Sequence, residues 1–168
     1  MAAGSTYEPI ATNTLGSNTA SYTFSSIPST YTDLILVVTG QVSSNVSLAI
    51  QVNGDTGTNY SVTELFGDAT TPSSFRNSSN AQITVASIGA QINSGSQWVS
   101  TLHFQNYANA TTYKIFLGRT SASATGVNAI AGLWRSTSAI NSIKFMGYAG
   151  SSGFTTGTTF TLYGIAAA

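Results

Sequence analysis

Residues 46–52, Val-Ser-Leu-Ala-Ile-Gln-Val, alternate large apolar side chains with small or polar ones. Alternation at every second position places the apolar side chains on one face of an extended strand. The pattern therefore predicts a β-strand with one buried face and one mostly polar face. Residues 98–105 repeat it, with Trp98, Leu102 and Phe104 on one side and His103 on the other.

A second kind of strand is predicted at residues 34–38, Leu-Ile-Leu-Val-Val, where the apolar residues do not alternate. A short continuous apolar run is typical of a strand that is covered on both faces. We expect the cover to be a second sheet and a neighbouring subunit, or the inside of a deep sandwich.

The rest of the chain also favours strands. Short segments rich in β-branched and aromatic residues are predicted as strands at residues 21–26, 81–88, 113–119, 127–134, 142–145 and 159–165. Turn-forming residues separate them, among them Asn53-Gly54 and residues 71–74, Thr-Pro-Ser-Ser. No segment of ten or more residues carries a helical stripe. The sequence predicts an all-β protein, an antiparallel β-sandwich of the jelly-roll type.

Length and composition indicate one domain. The 168 residues, 42% of them hydrophobic, are enough for a single core. We expect one β-sandwich over residues 1–168, with residues 1–20 as an extended N-terminal arm. The first nine residues lack the basic and apolar regions of a signal peptide, so synthesis in a host cytoplasm is expected.

Charge is scarce, with five Lys plus Arg, five Asp plus Glu and no cysteine, whereas Ser and Thr make up about 30% of the residues. Nucleic acids and anionic membranes require clustered basic residues, so neither is expected as a partner. The composition also predicts no enzyme, no catalytic residue and no cofactor. Surfaces rich in hydroxyl groups can pack against neighbours without the desolvation cost of ions, which favours permanent assembly.

The triplet Asp55-Thr56-Gly57 matches the catalytic triplet of aspartic proteases. That reading requires an apolar strand leading into the aspartate. Here Asn53-Gly54 precedes it, and this pair favours a type I′ hairpin turn. We interpret the triplet as part of a turn.

A calcium loop is a second alternative for the same region. Asn53, Asp55, Asn59 and Glu64 fall at ligand positions of an EF-hand loop, although Thr58 stands where the sharp turn needs glycine. The sequence predicts a polar loop here and no metal site.

The single histidine, His103, could belong to a nucleophilic triad. Because the strand pattern places it opposite Leu102 and Phe104, we interpret it as a hydrogen-bonded strand or interface residue.

Four residues are candidates for binding a ligand or partner, because aromatic faces stack on sugar rings and guanidinium groups bind carboxylates. These are Trp98, Tyr107, Trp134 and Arg135. Packing in the core is the alternative role.

Several segments together resemble a known family. They are residues 7–11, Tyr-Glu-Pro-Ile-Ala, and residues 21–34, 53–60, 132–136 and 157–165. The chain resembles small virion proteins of marine and cyanobacterial tailed phages, which are free-standing virion proteins or terminal modules of fibres. The resemblance implies a place in the virion and no catalytic residue.

The leading hypothesis is a non-enzymatic structural protein on the exterior of a phage virion, which decorates or cements the capsid. Its expected partners are copies of itself, with a homotrimer favoured, and other virion proteins such as the major capsid protein. The alternative is a tail-fibre or receptor-binding module that recognises a host surface glycan.

Overall fold

The computed structural model describes residues 6–68, 70–87, 91–124, 126–150 and 153–166. Within these residues the chain forms twelve β-strands and one short 3-10 turn, at Tyr148–Gly150. The strands are β1 (Tyr7–Thr14), β2 (Ser21–Phe24), β3 (Asp33–Gly40), β4 (Leu48–Val52), β5 (Tyr60–Gly67), β6 (Pro72–Asn80), β7 (Ile83–Ala86), β8 (Trp98–Gln105), β9 (Lys114–Ala122), β10 (Gly126–Trp134), β11 (Ile143–Gly147) and β12 (Thr159–Ile165). None of the described residues forms a helix that is long and apolar enough to span a membrane.

The strands form two antiparallel sheets. The large sheet has eight strands in the order β1-β12-β3-β8-β9-β10-β5-β6, and the small sheet has four in the order β2-β11-β4-β7. The chain passes repeatedly from one sheet to the other, as in a jelly roll. The predicted antiparallel β-sandwich is confirmed.

Aromatic side chains fill the space between the sheets. Trp98 of the large sheet stacks on Phe145 of the small sheet, with ring centroids 5.9 Å apart. Phe154 contacts both of these rings, and Phe160 contacts Phe145 and Phe154. Edge-to-face and stacked aromatic pairs of this kind stabilise a core beyond the apolar area that they bury.

The burial of β4 differs from the expected half-buried pattern. All five of its residues are buried. On the second face, Ala49 lies between its cross-strand neighbours Met146 and Thr84, both of them larger and also buried. The amide of Gln51 donates a hydrogen bond to the Ala81 carbonyl at 2.9 Å. The polar face is therefore covered, and its amide is satisfied inside the protein.

The burial of β3 differs in the opposite direction. Leu34, Leu36 and Val38 are fully buried, whereas Ile35 and Val37 between them are partly exposed. The alternative that residues 34–38 lie inside a deep sandwich is therefore wrong, whereas cover by a second sheet and a neighbouring subunit stays a prediction. The reason is that β3 lies in the large sheet, and only the inner face of that sheet packs against the small one.

Both edges of the large sheet are formed by polar strands that the sequence did not predict. β1 pairs with β12, so residues 7–14 of the expected N-terminal arm belong to the sheet, and residues 1–5 lie outside the described part. β6 pairs with β5 and begins at Pro72, inside the segment predicted as a turn. Pro9 of β1 lies beside a register shift. Proline is tolerated at such edge positions because no ladder hydrogen bond is lost.

The Asn53-Gly54 turn is present, but it does not join a hairpin. Both residues have positive φ, 52° and 66°, and the Asp55 N–H donates to the Val52 carbonyl at 3.0 Å. This is the geometry of a type I′ turn. The strands on either side, β4 and β5, lie in different sheets, so the turn directs the chain across the sandwich.

Candidate assembly surface

The outer face of the large sheet carries most of the exposed apolar side chains of the described residues. We define the outer face as the outward positions of the strands β3, β8, β9, β10 and β5. These positions are Asp33, Ile35, Val37, Thr39, Val99, Thr101, His103, Gln105, Ile115, Leu117, Arg119, Ser121, Val127, Ala129, Ala131, Leu133, Ser61, Thr63, Leu65 and Gly67. Leu65 is 61% exposed, Val127 58% and Ile115 50%. Several large apolar side chains exposed on one face of a sheet are typical of an interaction site.

Strand register places the apolar residues of the outer face beside one another. In one row across the sheet, Ile35 neighbours His103, which neighbours Leu117 and then Ala131. Because neighbouring strands lie about 4.8 Å apart, the side chains of one row form a continuous strip. The outer face is therefore a surface rather than a set of scattered residues.

Formal charge is sparse on the outer face, which contains one acidic residue, Asp33, and one arginine, Arg119, and is bordered by Arg76 of the edge strand β6. Asp33 is also engaged within the chain. Its Oδ2 lies 2.7 Å from the His103 Nε2, and its Oδ1 accepts a hydrogen bond from the Asn106 N–H at 2.7 Å. A second copy that packs here would meet no excess of like charge. His103 occupies the hydrogen-bonded strand position that was predicted.

The edges of the large sheet are less suited to association than its face. β1 and β6 are the edge strands, and each contains a proline, Pro9 or Pro72. The apolar side chains of β6 are few, and nearly all of its residues are exposed. Proline and polar edge strands hinder the addition of another strand, so the face is the better site for a partner.

Hydroxyl pairs replace ion pairs between the strands. Thr14 and Thr159 are hydrogen-bonded through their hydroxyls at 2.9 Å on the surface, and Ser100 and Thr120 at 2.9 Å inside the core. Cross-strand pairs of this type contribute a few tenths of a kcal/mol to about 1 kcal/mol each. They account for part of the high Ser and Thr content without requiring a ligand.

The Asp55 loop has a structural role in this fold. Asp55 Oδ2 accepts hydrogen bonds from the Trp134 Nε1–H at 2.6 Å and from the Asn59 Nδ2 at 2.9 Å. Its Oδ1 accepts one from the Gly57 N–H at 2.8 Å. Burial tends to raise the pKa of Asp55, but these three hydrogen bonds favour the carboxylate, and the pKa is lowered on balance. The carboxylate holds the loop, in agreement with its interpretation as part of a turn.

The four calcium-loop residues do not form one site, because Asp55 and Asn59 are hydrogen-bonded to each other whereas Asn53 and Glu64 are used elsewhere. The Asn53 side chain donates to the Ala139 carbonyl and accepts from the N–H groups of Asn141 and Ser142. Glu64 lies in β5 on the inner face of the large sheet and is fully buried. Among the described residues there is no group of three or more His, Asp or Glu side chains that could hold a metal ion.

Glu64 is the most perturbed carboxyl of the described chain. Burial raises its pKa from 4.5 to about 7, and contacts with Ser87 oppose the rise. The Ser87 N–H donates to Glu64 Oε1 at 3.0 Å. The Ser87 hydroxyl also interacts with the carboxyl and lowers its pKa, so the two polar side chains lie next to each other in the interior. Nothing in the sequence marks Glu64 beyond its position in the calcium-loop pattern.

The aromatic candidates for ligand binding lie in the core. Trp98 packs on Phe145, Trp134 stacks on Tyr60, and the Tyr107 hydroxyl donates to the Pro28 carbonyl. All three are nearly or fully buried, so none offers a ring face on which a sugar could stack.

Arg135, the fourth candidate, is partly exposed, but its guanidinium is used within the chain. It donates hydrogen bonds to Ser61 Oγ and, at 2.8 Å, to the Thr58 carbonyl. The four candidates therefore do not form one site.

Comparisons with known proteins give little further information. The chain matches no model of a known protein family and no curated protein. Among solved structures it is similar to alginate lyase Aly36B, with 10% sequence identity and a TM-score of 0.32 over 80% of this chain and 68% of that chain. A mutant of the same lyase in complex with an alginate tetrasaccharide gives 8% identity and a TM-score of 0.31 over 96% and 75% of the two chains. Likeness at this level carries no argument about activity.

Proposed function

We propose that this chain is a non-enzymatic structural protein of the exterior of a phage virion, where it self-associates and decorates or cements the capsid. The observation that carries the proposal is the uncovered apolar outer face in a protein with very few charges. The resemblance to small virion proteins of tailed phages supports the same role.

The outer face fits a permanent contact better than a transient one. Transient surfaces keep apolar residues inside a charged rim, whereas this face exposes Leu65, Val127 and Ile115 with only two formal charges. Obligate interfaces are the more hydrophobic class. Copies of this chain are the occupant that we propose for the outer face, with a homotrimer as the expected assembly.

A cement protein stabilises a shell because it binds the assembled state and not the free subunits. Its affinity then appears as shell stability by mass action. Virion heads that lack this protein should release DNA at a lower temperature than complete heads, as followed by the fluorescence of a DNA-binding dye during heating.

Adding back purified protein makes the test specific. The wild-type chain should restore the release temperature, and the variant Leu117→Glu, which places a charge on the outer face, should not. The variant Ser44→Glu is the matched control, because Ser44 is an exposed loop residue outside the outer face. Equal release temperatures for heads with and without the protein would exclude a cementing role.

A further inference from the structure

A shallow groove at the β6 end of the outer face carries two arginines. It has a volume of about 480 Å³, and Arg76 and Arg135 line it together with the hydroxyl-bearing residues Ser61, Thr63 and Ser78. Among the described residues, none of the side chains that line it is acidic. The groove is therefore a positively charged site on a surface where charge is otherwise sparse.

The guanidinium groups of the groove have donors available for a partner. Arg76 is exposed, and its side chain forms no hydrogen bond or ion pair with any residue in the described part of the chain. Arg135 donates within the chain to Ser61 and Thr58, but a guanidinium has five N–H donors, so donors remain. Guanidinium groups bind carboxylates in a planar, paired geometry, which makes a carboxylate a suitable occupant of the groove.

One carboxylate of the chain lies on the same face, at its other end. Asp33 is the first residue of β3 and the acidic residue of the outer face, and its side chain is 22% exposed. Each of its oxygens has one contact within the chain, with His103 or with Asn106, and can accept a second hydrogen bond. Asp33 can therefore bind a guanidinium while it keeps these contacts.

Asp33 cannot reach the groove of its own chain. Five strand spacings of about 4.8 Å separate β3 from β6 across the large sheet, so the two ends of the face lie about 24 Å apart. The remaining acidic residues lie away from the outer face. They are Glu64, which is buried, Asp55 and Asp68, which hold loops, and Glu8, on the inward side of β1. A pairing of the groove with a carboxylate on the outer face therefore requires a second copy.

We propose that Asp33 of one copy binds in the groove between Arg76 and Arg135 of the next copy. The proposal rests on the proposed self-association through the outer face and adds the placement of the copies relative to one another. Because the two charged patches lie at opposite ends of the face, a ring of three copies brings the β3 end of each face to one neighbour and the β6 end to the other. Charge complementarity then selects the orientation in which the apolar face is covered.

Sedimentation equilibrium of charge-reversed variants tests the contact. Arg76→Glu places a second negative charge opposite Asp33 and should raise the dissociation constant of self-association at least about tenfold at low salt. Lys144→Glu is the matched control, because it changes the net charge equally but lies in β11 of the small sheet, and it should associate as the wild type does. In about 1 M NaCl the Debye length falls to about 3 Å, so the difference between the two variants should shrink.

The variant Asp33→Asn tests whether Asp33 is the group that meets Arg76. Asparagine keeps the shape of the side chain and an acceptor for the Asn106 N–H, but it removes the charge. In the wild type it should weaken association, because an attraction is lost. In Arg76→Glu it should strengthen association at least about threefold, because a repulsion is lost. A role of Asp33 in folding alone would change association in the same direction in both backgrounds.

The outcomes separate this contact from the assembly role. If Arg76→Glu associated as tightly as Lys144→Glu, or if Asp33→Asn weakened association in both backgrounds, the contact would be overturned and self-association would stand. A wild-type chain that stayed monomeric at every concentration would contradict the proposed function, and this contact with it.

Discussion

The strands β3 and β4 carry sequence patterns that predict opposite burial, and in the single chain the burial of each strand differs from its pattern. β4 alternates apolar with small or polar residues, yet all of its residues are buried. β3 is a continuous apolar run, yet every second residue of that run is partly exposed. The difference shows that a strand's own pattern determines one face only, and that its neighbours determine the other.

The neighbours differ because the two sheets differ in size. β4 lies between β11 and β7, whose residues Met146 and Thr84 flank the small Ala49. β3 lies in the eight-stranded sheet, where Ile35 and Val37 join the exposed apolar residues of β9, β10 and β5. In the single chain the residues of β3 are therefore apolar on both faces of the strand, but only one of these faces is buried. A partner on the outer face would remove this discrepancy.

Truncation of one isoleucine in each strand tests whether β3 and β4 differ in burial. Ile50→Ala in β4 should lower the free energy of unfolding by about 2–5 kcal/mol, because the side chain is fully buried and leaves a cavity. Ile35→Ala in β3 should lower it by less than about 1 kcal/mol in the dilute single chain. Urea unfolding at low protein concentration measures both. Equal losses would show that β3 is covered without a partner.

A second test uses the carboxyl enclosed by the sandwich. The pKa of Glu64 is about 7 in the folded protein and near 4.5 when unfolded, so the folded state holds an extra proton between these values. The contribution of Glu64 to the free energy of unfolding should be fully present below pH 4.5 and should fall by up to about 3 kcal/mol as the pH rises to 7.

Glu64→Gln keeps the shape of the side chain and removes this titration. Its unfolding free energy, measured from pH 4 to pH 8, should vary less with pH than that of the wild type. If the two pH profiles had the same slope between pH 4.5 and pH 7, the carboxyl would not be enclosed as described.

A smaller effect distinguishes the second faces of the two kinds of strand. Gln51→Ala should cost about 1–3 kcal/mol, because it leaves the Ala81 carbonyl without its donor inside the covered face of β4. Gln105→Ala, on the outer face, should change the unfolding free energy by less than about 0.5 kcal/mol. Thermal or urea unfolding of both variants checks the difference, and a larger loss for Gln105→Ala would contradict the assigned faces.

The sequence predicted the strands whose residues pack in the core and missed those at the edges. Residues 159–165 match β12, because their apolar residues alternate in a two-sided environment. β1 and β6 were not predicted, because edge strands need few apolar residues. In addition, proline is typical of turns, and Pro72 is the first residue of β6. β5 was missed as well, because the buried Glu64 interrupts its apolar pattern.

The candidate sites were harder to predict than the fold. The loop at Asp55 was correctly interpreted as a turn, since the conformation of Asn53-Gly54 is local. The outer face depends on strand order, which places Leu65 of β5 in one row with Ala129 of β10 and Arg119 of β9. Strand order is not encoded within a single strand.

We infer that copies of this chain cover the apolar outer face. Sedimentation equilibrium measures this self-association in solution. The wild type and Ser44→Glu should associate at micromolar concentration, whereas Leu117→Glu should remain monomeric and, in dilute solution, should unfold with the same free energy as the dilute wild type. A wild-type chain that stays monomeric over the whole concentration range, or a Leu117→Glu variant that associates as the wild type does, would contradict the claim.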